Sequence, residues 1–212
     1  QQIKDPKRRY SVVHAIASSE RDFQLMVAQD MTLVWSPRSN LALYGETLDV
    51  LKATAADVRI ALGTDWSPSG SYSMREEIAC ARKVLGSGVD EDKLWQMATV
   101  NGAYALGLEH HVGSIEAGQL ADLVLIRGVA VDPVATALAV VPKNILAVMV
   151  GGEIVLAHAS LAQSMPELEC MSLPGMEQNL CADIASLGID QHQLISQLAE
   201  VVPIIATTRQ VN

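Results

Sequence analysis

The sequence contains little cysteine. Only three cysteines occur among 212 residues, at Cys80, Cys170 and Cys181. Their number is odd and no two of them form a Cys-x-x-Cys pair, so the sequence indicates neither a disulfide framework nor a zinc ribbon. We therefore predict reduced thiols and a cytoplasmic location.

Long apolar runs and positive charge are also scarce. The most apolar region, residues 145–159, is interrupted by Gly151 and Gly152 and is shorter than the roughly 20 residues that a membrane helix needs. The chain has 15 basic and 24 acidic residues, a formal charge of −9, whereas a nucleic-acid site requires a basic surface. We expect neither a membrane nor a nucleic acid as a partner, and a small-molecule substrate instead.

Strands and helices alternate in the first part of the chain. Short apolar segments at residues 10–14, 32–35 and 58–62 predict three strands. Helical spacing follows over residues 20–29, and a capping box at residues 73–76 opens a later helix. This alternation predicts parallel βα units and hence an α/β fold. Because no Gly-x-Gly-x-x-Gly follows a strand, the pattern argues against a dinucleotide-binding fold.

Between the second and third strands, residues 36–40 are predicted to form a loop, since Ser, Pro and Asn favour turns. Asn40 in this loop either binds a substrate or belongs to an ordinary turn. A helix capped by Thr47 and carrying Leu48, Leu51 and Ala55 is predicted to follow.

Each predicted strand ends in a polar residue: His14, Ser36 and Asp65. Catalytic and ligand-binding residues of α/β proteins lie at the carboxyl ends of parallel strands. Asp65 enters a loop rich in Gly, Ser and Pro, so it is the first candidate for a catalytic residue. The alternative is that Asp65 only caps the next helix.

The pattern changes after about residue 111. Turns and short strands, including a hairpin at Gly151 and Gly152, predict a small β domain. Helical spacing over residues 176–187 and 190–201 predicts two helices in the tail. The predicted organisation is therefore a barrel-type part over residues 1–111, a β part over 112–159 and a helical tail over 160–212.

Five segments, in this order, resemble the amidohydrolase superfamily, and more narrowly its cytosine deaminase, guanine deaminase and triazine hydrolase branch. The similarity extends over about residues 11–156. The segments are Val-Val-His14, Trp-Ser-Pro-Arg-Ser-Asn40-Leu, Ala-Leu-Gly-Thr-Asp65, Ala-Thr-Val-Asn-Gly-Ala-Tyr-Ala-Leu-Gly-Leu, and Gly-Ser-Ile-Glu-Ala-Gly-Gln-Leu-Ala-Asp-Leu-Val-Leu-Ile.

The resemblance implies the C-terminal part of a metal-dependent (β/α)8 TIM barrel, strands six to eight, together with part of a small accessory β-sandwich. It implies hydrolysis of a non-peptide C–N bond, by deamination or amide hydrolysis, in a small cyclic or amidine-like substrate. Asp65 would bind the metal and take a proton from the attacking water, and His14 would orient the attacked group or bind the metal. Asn40, Trp66 and Ser67 would contact the substrate.

The sequence departs from the family in its histidines. It has no His-x-His pair, and a catalytic zinc site takes three protein ligands. We expect His110, His111, His158 and His192 to be surface or structural residues. The chain is therefore interpreted as a fragment that is inactive alone. Its metal site, for zinc or less favourably iron, would be completed by ligands from the missing N-terminal half of the barrel or from a homo-oligomer. The alternative function is a non-catalytic fragment or interaction subunit that keeps the fold without the metal.

Overall fold

A computed structural model describes residues 9–86, 90–128, 131–165, 170–172, 177–181 and 190. These residues belong to two compact units, the first formed by residues 1–119 with 130–139 and the second by residues 120–129 with 140–212. The three-part division of the sequence stays a prediction. Among the described residues, no helix is long and apolar enough to cross a membrane.

The first unit is an α/β structure built on three parallel strands in the order β1-β2-β3. The strands pair without a register shift, with Val13 opposite Val34 and Trp35 opposite Leu62. The predicted strands and their parallel arrangement are confirmed. The elements are β1 Ser11–Val13, α1 Glu20–Ala28, β2 Thr32–Trp35, α2 Pro37–Tyr44, α3 Val50–Ala55, β3 Arg59–Leu62, α4 Met74–Leu85, α5 Glu91–Ala98, α6 Val100–Leu106 and α7 Pro133–Leu138.

The core of this unit lies between the strands and the helices that follow them. Phe23 of α1, Leu33 and Trp35 of β2, Ile60 of β3 and Leu94 of α5 are almost completely buried. Burying a large apolar side chain contributes about 1.5–3 kcal/mol relative to leaving it exposed. The apolar spacing in the sequence therefore serves to fix the strands against the helices.

Two local predictions between β2 and β3 are wrong. Residues 36–40 are not a loop, because α2 begins at Pro37, whose fixed φ suits the first helical position. The helix α3 is capped by Asp49, which accepts a hydrogen bond from the backbone N–H of Lys52 at 3.1 Å. Thr47 lies two residues before this N-cap, and its hydroxyl instead accepts hydrogen bonds from Trp35 and Asn40.

A cluster of charged groups surrounds the ring of Tyr104 in α6. The guanidinium carbons of Arg9 and Arg59 lie 4.3 and 3.6 Å from the ring centroid. Asp30 accepts hydrogen bonds from Arg59 and from the Tyr104 hydroxyl, and Glu109 accepts from Arg9. Cation–π contacts and ion pairs thus join β3 and α6 to the segment that precedes β1.

The second unit contains one antiparallel five-stranded sheet in the order β4-β5-β6-β8-β7. The predicted hairpin between β5 and β6 is confirmed, with Gly151 and Gly152 both at positive φ. The second layer of a β-sandwich stays a prediction. The elements are β4 Leu123–Ile126, a 3-10 turn at Pro142–Asn144, β5 Ile145–Val150, β6 Glu153–His158, α8 Ala159–Ser164, β7 Met171–Ser172 and β8 Gln178–Leu180.

The helix predicted over residues 176–187 is wrong at Gln178–Leu180, which form the strand β8. Here pairing with β6, with Leu156 opposite Leu180, overrides the helical spacing. Gln178 is buried, and its Nε2 donates to the carbonyl of Pro142 at 2.7 Å. The helix predicted over residues 190–201 lies, apart from Asp190, outside the described residues.

The expectation of three reduced thiols is also wrong, because Cys170 and Cys181 form a disulfide. The antiparallel pairing of β7 and β8 brings their Cα atoms to 4.0 Å. The odd number of cysteines does not exclude this pair, because the third cysteine, Cys80, is a free thiol in α4.

Acid should weaken the Tyr104 cluster through Glu109. Hydrogen bonds from Arg9 are the main cause that lowers the pKa of Glu109 from 4.5 to about 2. A carboxyl with a lowered pKa stabilises the folded state above its unfolded pKa, and this contribution is lost as the pH falls through the folded value. We expect unfolding by urea at a series of pH values to show a smaller acid-induced loss in Glu109→Gln than in the wild type between about pH 4.5 and 2.

The matched control is Glu46→Gln, which changes an exposed carboxyl of the same unit. Its pH dependence should follow the wild type. Parallel curves for wild type and Glu109→Gln would contradict the prediction.

Candidate active site

The three polar residues at the strand ends lie at one edge of the parallel sheet. His14 follows β1, Ser36 follows β2, and Asp65 comes three residues after β3. Nε2 of His14 is 3.6 Å from Oδ2 of Asp65, and both side chains are a little over a quarter exposed. The predicted proximity of His14 and Asp65 is confirmed.

Close backbone packing brings the end of β3 towards β2. The N–H of Gly63 donates to the carbonyl of Trp35 at 2.9 Å. A Cβ at Gly63 would lie 2.8 Å from Cγ1 of Val34 and 3.3 Å from Oγ of Ser36. Only a residue without a side chain fits there without a shift of these neighbours, so Gly63 allows Asp65 to reach the same edge as His14.

Both candidate residues have a left-handed backbone. The φ angles are 66° at His14 and 55° at Asp65. The N–H of His14 donates to the carbonyl of Val34 at 3.0 Å, and the N–H of Ala15 donates back to Val13 at 2.9 Å. Such conformations cost on the order of 1–3 kcal/mol each in non-glycine residues and cluster at functional sites. Here they turn the two side chains towards each other.

Both carboxylate oxygens of Asp65 have donors. The Ser39 hydroxyl donates to Oδ2, and the backbone N–H of Trp66 donates to Oδ1 at 2.8 Å. These bonds, in that order, lower the pKa of Asp65 below its usual value, and the positive charge of a protonated His14 would lower it further. Asp65 is thus held as a carboxylate with a fixed orientation.

His14 is oriented by Asn40, whose Oδ1 lies 2.7 Å from Nδ1 of the imidazole. Asn40 is completely buried in α2, and its Nδ2 donates to Oγ1 of Thr47 at 3.1 Å. The ring of Tyr44 meets the imidazole edge to face at 6.1 Å between centroids. Asn40 is therefore on a helix and not in a turn, and its predicted contact with a substrate stays a prediction.

The remaining predicted substrate residues lie in the loop after Asp65. Trp66 is 74% exposed, and Ser67 is also exposed. The loop closes tightly, because the N–H of Gly70 donates to the carbonyl of Trp66 at 2.7 Å. The predicted contact of Trp66 and Ser67 with a substrate stays a prediction.

Three residues that support the site were missed in the sequence. Ser39 binds Asp65, Thr47 binds Asn40, and the buried Glu77 of α4 accepts the backbone N–H of Arg38 at 3.1 Å. Burial raises the pKa of Glu77. The available signal was the position of Glu77 on the apolar face of its helix, four residues before Ala81.

The donors that the structure brings together suit a metal but are few. His14 offers an imidazole nitrogen and Asp65 a carboxylate, both of which bind zinc. Over the described ranges there is no group of three or more His, Cys, Asp or Glu residues placed to hold a metal ion.

Two other histidines lie beside glutamates. His110 is exposed beside Glu109, and His158 lies beside Glu177 in the second unit. His192 lies outside the described residues.

Comparisons with known proteins identify a family and a fold for this chain. The Amidohydrolase family matches residues 9–155. The chain is 36% identical over 121 residues to the 5-methylthioadenosine/S-adenosylhomocysteine deaminase of Teredinibacter turnerae, covering 54% of this chain and 27% of that protein. It is 32% identical over 130 residues to the guanine deaminase of Mus musculus, covering 57% and 29%.

Among solved structures, an adenosine deaminase from Xanthomonas campestris with bound zinc superposes with a TM-score of 0.65 at 23% identity, covering 93% of this chain and 42% of that one. This likeness concerns the fold. The chain spans less than a third of the length of the two curated relatives above. The family match covers most of the described sequence and includes both His14 and Asp65. The chain therefore belongs to the amidohydrolase family.

Proposed function

We propose that this chain is part of a metal-dependent hydrolase that cleaves a non-peptide C–N bond, as deaminases do. The observation that carries the proposal is the pairing of His14 with Asp65 at 3.6 Å, at the carboxyl edge of parallel strands in a member of the amidohydrolase family. The curated relatives are named as deaminases of purine-containing compounds. The proposed substrate is a small cyclic compound with an amino or amidine-like group.

In this proposal β1, β2 and β3 correspond to strands six, seven and eight of a (β/α)8 barrel, and the second unit to part of an accessory β-sandwich. Barrel enzymes place their catalytic residues at the carboxyl ends of the strands. The edge that carries His14 and Asp65 is then the open end of the barrel. The other ligands and most of the substrate pocket would come from strands outside this chain.

The metal would be held by Asp65 and, in the complete site, by further donors. A divalent ion such as zinc lowers the pKa of water towards 7 and so supplies a nucleophile at neutral pH. Asp65 is suited to accept the proton released in the attack, because a positioned carboxylate acts as a general base. The bonds from Ser39 and Trp66 keep it ionised and correctly oriented.

His14 would orient the attacked group or serve as an additional ligand. Its Nδ1 is engaged by Asn40, while Nε2 faces Asp65 without a hydrogen bond. The exposed Trp66 would provide an apolar wall for a planar ring, with Ser67 beside it. Asn40 would act on the substrate through His14 or directly.

The second candidate is a non-catalytic fragment or interaction subunit. It is favoured by the shortage of metal donors, since the described residues bring together two where a catalytic zinc site takes three. Metal content separates the two candidates. A full complement of zinc in the complete protein supports the enzyme, and its absence supports the interaction subunit.

The proposed partners are the rest of the barrel or a second copy of this chain. The proposed location remains the cytoplasm, although the disulfide between Cys170 and Cys181 is unusual for a reducing compartment.

Replacing Asp65 should reduce turnover more than metal binding. In the complete protein we expect Asp65→Asn to lower kcat at least about 100-fold, since general base catalysis contributes about 10²–10⁴-fold. Asn still offers an oxygen to the metal but cannot accept the proton. The measurement is metal stoichiometry together with hydrolysis of a panel of aminopurines, aminopyrimidines, cyclic amidines and amides. Asp57→Asn is the control, because Asp57 is an exposed aspartate at φ 60° outside the site. Near-normal turnover in Asp65→Asn would contradict the proposed mechanism.

Replacing His14 should lower turnover but leave most of the metal in place. We expect this of His14→Asn, because Asn tolerates the φ of 66° at this position and removes only the imidazole. His111→Asn, at an exposed turn, should behave like the wild type. Complete loss of metal in His14→Asn, measured by elemental analysis, would make His14 a primary ligand instead.

The first unit should associate through its open sheet edges. β1 and β3 each pair with one neighbour in the described sheet, and unpaired edges promote association. We expect the 212-residue chain to form multimers or to bind the rest of the barrel, and Val13→Lys, which puts a charge on an exposed apolar side chain of β1, to weaken the association. A monodisperse monomer of 22.7 kDa by light scattering, with a cooperative melt, would contradict this.

A further inference from the structure

Thr47 lies between the buried core and the candidate site. Its Oγ1 accepts a hydrogen bond from Nε1 of Trp35 at 2.8 Å and a second from Nδ2 of Asn40 at 3.1 Å. Trp35 and Asn40 are completely buried, and Thr47 is partly buried. A continuous chain of hydrogen bonds therefore runs from the Trp35 indole through Thr47 and Asn40 to His14.

With Asn40 in the orientation that the structure has, the donor and acceptor of each bond are defined. An indole N–H can only donate, and so can the Nδ2 group of an asparagine. A threonine hydroxyl has two lone pairs, and these two donors occupy both of them. With Nδ2 facing Thr47, the amide of Asn40 must present Oδ1 to His14, and Oδ1 can only accept.

From this arrangement we infer that Thr47 is a positioning residue that sets the tautomer of His14 through Asn40. Because Oδ1 of Asn40 accepts, Nδ1 of His14 carries the hydrogen in the neutral ring. Nε2 is then left as a lone pair on the side of Asp65.

The environment of Asp65 is consistent with a free Nε2. Both carboxylate oxygens already accept hydrogen bonds, from Ser39 and from the backbone of Trp66. The 3.6 Å between Nε2 and Oδ2 is too long for a hydrogen bond. No hydrogen bond between Nε2 and Asp65 therefore demands a hydrogen on Nε2.

The opposite arrangement has a distinct signature. If the amide of Asn40 were turned over, the Thr47 hydroxyl would donate to Oδ1 and Nδ2 would donate to His14. Nδ1 would then be the lone pair, and Nε2 would carry the hydrogen. The two arrangements differ in which ring nitrogen is protonated, and this can be measured directly.

The catalytic consequence of this inference rests on the proposed function. An unprotonated Nε2 can accept a hydrogen bond from a substrate amino group or bind a metal ion, whereas a protonated one can do neither. The neighbours that orient a histidine commonly contribute 10–100-fold to activity or metal affinity. The tautomer itself does not depend on any activity.

The test is nitrogen NMR of the ¹⁵N-histidine-labelled chain, at a pH well above the ordinary histidine pKa of about 6.5. The His14 signals are assigned by their loss in His14→Asn. We expect the wild type and Thr47→Ser, which keeps the hydroxyl, to carry the hydrogen on Nδ1. In Thr47→Val, which removes both lone pairs at nearly constant volume, the hydrogen should move wholly or partly to Nε2.

The control is Thr54→Val, a partly buried threonine of α3 outside this hydrogen-bond chain, which should leave the His14 spectrum unchanged. Hydrogen on Nε2 in the wild type, or an unchanged tautomer in Thr47→Val, would overturn the inference. Should Thr47→Val fail to fold by circular dichroism, Thr47→Cys takes its place, because a thiol is a weak acceptor.

Turnover gives an independent measurement in the complete protein. Thr47→Val should lower kcat by about 10–100-fold with less effect on KM. Thr47→Ser, which keeps the hydroxyl, should have the kcat of the wild type. If the wild type proves inactive on every substrate while the tautomers change as expected, the proposed function fails and the role of Thr47 stands. If turnover is normal in Thr47→Val, the tautomer has no catalytic role.

Discussion

The parallel pairing of three short strands is the constraint on which the rest of the first unit depends. Because β1, β2 and β3 run in one direction without a register shift, their carboxyl ends meet at one edge. The helix α2, which starts directly after β2, then places two successive residues over that edge, with Ser39 on Asp65 and Asn40 on His14. One helix therefore positions both halves of the candidate site, and Glu77 fixes the start of that helix by binding the N–H of Arg38.

The strands and the residues at their ends could be predicted from the sequence, because apolar runs and polar ends are local signals. His14 and Asp65 were found in this way, and the resemblance to a family gave them roles. The helix α2 was missed because Ser, Pro and Asn are also turn residues, and only the packing of Asn40 against His14 and Thr47 decides between the two. Ser39 and Thr47 could not be found, since their function depends on contacts across 26 and 12 positions of the chain.

In the second unit, too, local features could be predicted from the sequence and features that depend on distant contacts could not. The hairpin at Gly151 and Gly152 was predictable, because a two-residue turn at positive φ has its own residue preference. The strand β8 was not, because three residues carry too little pattern and owe their conformation to pairing with β6. The disulfide between Cys170 and Cys181 depends on that same pairing and was equally hidden.

The loop after Asp65 contains one position, Gly70, that cannot be substituted without a shift of the backbone. A Cβ at Gly70 would lie 2.0 Å from the carbonyl oxygen of Thr64, so any side chain there would displace the backbone that leads into Asp65. The exposed neighbours Trp66 and Ser67 meet no such restriction. Changes in substrate specificity would therefore arise at Trp66 and Ser67. Gly70 would stay glycine in every descendant that keeps the Asp65 carboxylate in place.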